Sequence, residues 1–162
     1  MIRDEPAPIL DPGDEDLHSP GIKWTGEAMA VFTLAEFTVP HACSEAEEVE
    51  RWLRAMRRDG VVGRALGDLG FLDGQLISRA EPPGNPLRTS AVGAMRAKAA
   101  ALADQRHAAS VTTVDMLFAL LATHGDLVDR ALYERRITRP SLLDHVAGGA
   151  RALARLELEK QL

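Results

Sequence analysis

Chemistry in this chain would have to come from its five histidines, its single cysteine or its carboxylates. His18, His41, His107, His124 and His145 form no i, i+4 pair, and no His-Glu-x-x-His or Cys-x-x-Cys run occurs, so a metal site would need distant positions brought together. Cys43 follows His41 by two residues, but a loop after Pro40 does not orient an imidazole on a thiol, and no Asp or Asn supports the pair. No Gly-x-x-x-x-Gly-Lys-Ser/Thr loop is present to cradle nucleotide phosphates. The expectation is a protein with no catalytic residues, no metal and no cofactor, and so not an enzyme.

The densest charged feature is Glu45, Glu47, Glu48 and Glu50, in the first turns of a helix that Ser44 opens. The cluster could receive a cationic group; its default role is to oppose the positive end of the helix dipole, at about 0.3–1 kcal/mol per acid. Arg51, Arg54, Arg57 and Arg58 follow and can pair with these acids at i, i+3 or i, i+4 on a solvated face.

The elements that position these groups read as helices throughout. The 162 residues are 46% hydrophobic but only 4% aromatic, a composition suited to all-α packing through small aliphatic contacts. Residues 1–22 hold four prolines and Asp4, Glu5, Asp11, Asp14, Glu15 and Asp16 against Arg3, which accounts for the whole net charge of -5; they are expected to form a flexible acidic tail. A near-neutral remainder without a basic face argues against nucleic acid as a partner. The lone Cys43 and the absence of any long apolar run point to a cytoplasmic protein that neither enters nor crosses a membrane.

Within 23–162, Ala28, Val31, Phe32 and Ala35 share one helical side, with Met29 and Phe37 as further candidates, and Pro40 stops the helix. Ser44-x-x-Glu47 has the form of a capping box for a helix burying Val49, Trp52, Leu53 and Met56. Asp59-Gly60 ends it, and a short helix over Val61–Leu69 follows. A fourth helix is expected near Asp73–Arg79, then a proline-rich linker over 81–88. Thr89 or Ser90 would cap a long Ala-rich helix reaching about His107; Ser110 or Thr112 would cap the next, His124-Gly125-Asp126 would turn it, and Pro140 would open the last. Eight helices result, four either side of the linker. Val62-Gly63-Arg64-Ala65-Leu66 recurs as Val128-Asp129-Arg130-Ala131-Leu132 at matching places in the two helix orders, which points to two pseudo-symmetric repeats, about 24–80 and 89–158.

These segments resemble the N-terminal double Clp repeat of ClpA- and ClpC-type unfoldases. Val111-Thr112-Thr113-Val114-Asp115-Met116-Leu117 is similar to the family's Ile-Gly-Thr-Glu-His-hydrophobic helix, and Gly125 to Leu132 to the helix after it. Trp24-Thr25-Gly26-Glu27-Ala28 resembles the Phe-Thr-x-x-Ala opening, and Gly60 to Gly70 the helix that ends Leu-x-x-Leu-Gly. The resemblance spans about Trp24 to Gly149 and implies a receptor domain without its motor, a non-catalytic adaptor, substrate receptor or decoy in Clp-type proteolysis. Its implied partners are an unfoldase, its adaptors or a small peptide ligand. Phosphoarginine recognition in that family uses the motif acid of each repeat: here Glu48 or Glu50 in the first, but Val114, which cannot pair with a guanidinium, in the second. Leu87 likewise replaces the family's Phe at the opening of the second repeat. The implied binding residues are Glu48, Glu50, Thr112, Thr113 and Asp115. The alternative is a small DNA-binding regulator using Val61–Gly70 as part of a helix-turn-helix, which requires a basic recognition helix.

Overall fold

A computed structural model describes residues 21–71 and 84–161. The described residues are all-α apart from two two-residue strands. Strand β1 (Lys23–Trp24) leads into α1 (Gly26–Thr38) and a 3-10 turn (Val39–His41); α2 (Glu45–Arg57) and α3 (Gly60–Asp68) follow. Next come α4 (Pro86–Gln105), β2 (Ser110–Val111), α5 (Thr113–Tyr133) and α6 (Arg139–Lys160). The expected helix near Asp73–Arg79, nearly all of the expected acidic tail and residues 81–83 of the expected linker lie outside the described residues. Among those described, no helix is long and apolar enough to cross a membrane.

Most helix starts lie where capping chemistry puts them. Ser44 accepts a hydrogen bond from the Glu47 N–H at 3.1 Å, although the Glu47 carboxylate reaches past the cap to the N–H of Cys43 at 2.9 Å. Thr138 caps α6, with Pro140 in its first turn. The start of α4 departs from expectation: Asn85, not Thr89 or Ser90, is its cap, accepting from the Leu87 N–H at 3.0 Å. Pro86 then takes the first helical position, where its missing N–H costs nothing, and shortens the linker. The two helices expected around His124 are one element with a kink, His124 alone leaving helical geometry (φ -134°, ψ 37°).

One core unites the helices. α2 lies at its centre, packing on α1, α3 and α5, while α4 packs on α5 and α3 on α6. Trp52, Leu53 and Met56 of α2 and Met116, Leu117 and Leu120 of α5 are at most 1% exposed. Ala28, Val31, Phe32 and Ala35 of α1 point inward as expected, but Met29 and Phe37 do not: they are 39% and 73% exposed. α6 is anchored by Leu142 and Val146.

The recurrent pentapeptide buries the same three of its five positions in both places. Val62, Ala65 and Leu66 are buried, as are Val128, Ala131 and Leu132. Both helices end in the same C-terminal cap. The Phe71 N–H donates to the Leu66 carbonyl at 2.8 Å and the Ile137 N–H to the Leu132 carbonyl at 2.9 Å. The residue before each, Gly70 (φ 93°) or Arg136 (φ 59°), takes the left-handed conformation of this cap. Only glycine adopts it without a steric cost. Nothing lies within 4 Å of a Cβ added at Gly70, so the backbone alone decides the outcome there. Gly70→Ala is expected to lower stability by about 1 kcal/mol, and Arg136→Gly to raise it by about 0.5–1 kcal/mol, in denaturant unfolding.

Candidate functional site

The five residues singled out by sequence fall into two places. α2 runs antiparallel to the first arm of α5: Glu48 lies near His124, while Thr113 packs against Gly60 beyond the other end of α2. Thr113 and His124 are eleven residues apart on α5, roughly 16 Å along its axis. Glu48 and Glu50 therefore do not share a site with Thr112, Thr113 and Asp115.

Both glutamates are engaged within the fold. Glu48, 1% exposed, accepts from Arg88 Nη1 of α4 at 2.8 Å through Oε2. Its Oε1 has no hydrogen-bond partner, the nearest ion-pairing nitrogen being His124 Nε2 at 3.8 Å; Trp52 Nε1 and Arg88 Nε are also buried and unpartnered. Glu50 takes a two-pronged pair from Arg135, in the turn that follows α5, with both bonds at 2.8 Å. That guanidinium also stacks over the Phe71 ring, 4.2 Å from its centroid. The default reading of this acid cluster as a solvated face holds for Glu47, which pairs with Arg51 at i+4, and fails for Glu48. Arg57 turns inward to cap carbonyls, donating from Nε to Phe71 at 3.1 Å and from Nη1 to Gly63 at 3.4 Å.

Asp115 is the organising group at the other end. Its Oδ2 accepts from the Thr112 N–H at 2.9 Å and hydroxyl at 3.2 Å, and both carboxylate oxygens pair with Arg106, from Nε at 2.8 Å and Nη2 at 2.6 Å. Hydrogen bonding to Asp115 raises the Arg106 pKa further. Thr112, Thr113 and Asp115 line a groove of about 690 Å³ with Thr25, the cap of α1, Glu27 of α1, Gly60 and Arg64 of α3, and Leu153, Ala154 and Glu157 of α6. Phe118, 45% exposed, lies on its wall. The starts of α1, α3 and α5 all open here, so backbone N–H groups, hydroxyls, the exposed Arg64 and an apolar wall meet in one concavity.

Arg88, Arg106 and Arg135, the cations that neutralise these acids, stand 40, 9 and 85 residues from their partners, and no local pattern announces them. Cys43 is exposed, and among the described residues no group of three His, Cys, Asp or Glu side chains is arranged to hold a metal ion. α3, the segment considered for DNA reading, buries Val62, Gly63, Ala65 and Leu66 and offers Arg64 as its only basic side chain.

Glu48→Ala would strand Arg88 beside a buried gap and should cost about 3–5 kcal/mol in chemical denaturation, far more than the exposed Glu45→Ala. Glu47 titrates below the ordinary glutamate range, chiefly because the Cys43 N–H and then Arg51 favour its charged form. A lowered folded-state pKa means a contribution present above the unfolded value, about 4.3, and lost as pH falls through the folded one. The stability difference between the native chain and Glu47→Gln should therefore be seen in full at pH 7 and shrink as the pH falls below the unfolded value, about 4.3, in urea titrations. Comparison with protein families, with curated proteins and with solved structures found no match to this chain.

Proposed function

We propose that the chain is a non-catalytic binding module of the double Clp-repeat kind, a receptor, adaptor or decoy for protein or peptide partners in Clp-type proteolysis. The observation that carries this reading is the repeated helix ending. Two segments 66 positions apart bury the same four positions, Val62, Ala65, Leu66 and Phe71 against Val128, Ala131, Leu132 and Ile137, and close with the same pair of backbone hydrogen bonds. A second correspondence supports it. The Thr25 N–H, at the cap of α1, donates to the Val111 carbonyl just before α5, at 3.0 Å; the Asn85 N–H, at the cap of α4, donates to the Pro40 carbonyl shortly before α2, at 2.8 Å. Each opening helix is thus tied to the chain that leads into the central helix of the opposite half.

The binding surface in this reading is the groove at the start of α5, with Thr112 and Thr113 on its floor and Phe118 and Leu153 as apolar contacts. Glu48 and Glu50, already neutralised by Arg88 and Arg135, serve to hold the halves together, not to receive a guanidinium. An extended peptide with one or two apolar side chains fits such a groove, its polar groups meeting the hydroxyls and helix-end N–H groups.

The test is competition. Purified chain, added to a Clp unfoldase–protease pair from the same cell, should inhibit or stimulate degradation of an adaptor-dependent substrate. Phe118→Ser with Arg64→Glu, both at exposed positions, should weaken that effect about tenfold or more. No change in degradation rate at large molar excess would remove the chain from this pathway.

A further inference from the structure

α1 carries hydrophobic residues all round its axis, not on its inner side alone, and it lies at the surface. Its inner row is fully packed, while its outer face presents Gly26, Met29, Ala30, Thr33 and Phe37, all exposed. The Thr33 hydroxyl is spent on the helix's own Met29 carbonyl at 2.8 Å, so this residue adds little polarity to the stripe. The charged side chains of α1 are Glu27 and Glu36, and it has no lysine or arginine. At about 100° per residue, nine positions place these two acids on opposite flanks of the stripe. Neither makes an ion pair or side-chain hydrogen bond among the described residues.

We propose that this outer face of α1 is a docking surface for an amphipathic helix whose apolar stripe is flanked on both sides by lysine or arginine. The stripe runs from Gly26 to Phe37, about 16 Å or three helical turns, and its small residues, Gly26, Ala30 and Thr33, let a second helix approach between the larger Met29 and Phe37. The flanking glutamates supply the charge match on either side. A second copy of this chain fits poorly, since pairing α1 with itself would bring four glutamates together and no cation. The inference rests on α1 alone and stands whether or not the groove at the start of α5 binds a Clp-pathway partner.

Three synthetic peptides of about 18 residues test it by titration calorimetry against the full chain: a leucine stripe flanked by lysines, the same stripe flanked by glutamates, and the lysine peptide with its order scrambled. The lysine-flanked helix should bind at least about tenfold more tightly than either control and weaken as salt rises. Phe37→Ser, and separately Thr33→Lys at the centre of the stripe, should each reduce that affinity about tenfold, and Glu27→Gln with Glu36→Gln should flatten its salt dependence. Equal binding of all three peptides, or affinity unchanged in both stripe variants, would overturn the proposal. So would concentration-dependent self-association in sedimentation that Phe37→Ser abolishes, since the occupant would then be a second copy.

Discussion

A carboxylate removed from water must be neutralised where it lies, and the pairing of Glu48 with Arg88 is the constraint around which the helices are arranged. An unpaired charge at that depth would cost several kcal/mol, so α2 and α4 must meet in one register. Glu50 and Arg135 impose a similar condition between α2 and the turn that follows α5. Hydrophobic burial of Trp52, Leu53 and Met56 supplies the driving force for packing on α2, but such contacts tolerate sliding. The two ion pairs do not, because their geometry is directional and their failure is expensive.

Once α2 is held in this way, the ends of the other helices have few places to go. Gly60 turns the chain from α2 into α3 with φ 78°, and Thr113 packs so closely there that an added Cβ would lie 2.7 Å from its hydroxyl oxygen. The start of α5 is thereby pressed against the start of α3, and the strand pairing of Lys23–Trp24 with Ser110–Val111 brings the start of α1 to the same place. The groove is a consequence of where three helices begin. Its polar character follows from the N–H groups and capping side chains that helix starts carry. Asp115 caps α5 from within and neutralises Arg106 in the same step, so that of the two arginines lining the groove Arg106 is ion-paired and Arg64, among the described residues, is not.

Two surfaces of different character therefore stand side by side. The groove is concave and of mixed polarity; the outer face of α1 is a ridge, apolar along its crest with a carboxylate on either slope. Glu27 belongs to both, since it lines the groove and flanks the ridge.

The sequence by itself determined what depends on neighbours along the chain. The all-helical class, the caps at Ser44 and Thr112, the helix start marked by Pro140, the turn at Asp59-Gly60 and the recurrent Val-x-Arg-Ala-Leu are local, because a cap or a turn is decided within four or five residues. Tertiary structure decided the rest. α1 carries hydrophobic residues all round, so periodicity alone could not say whether Met29 and Phe37 face the core, and only its packing on α2 and α4 placed them in solvent. Thr89 and Asn85 are both good caps, and the Pro40 carbonyl, which takes the Asn85 N–H, favours the earlier start. The acids of α2 read as a solvated face because their partners are distant in sequence. Burial turns such a face into a set of obligatory contacts, and burial is a property of the whole fold that no stretch of residues carries.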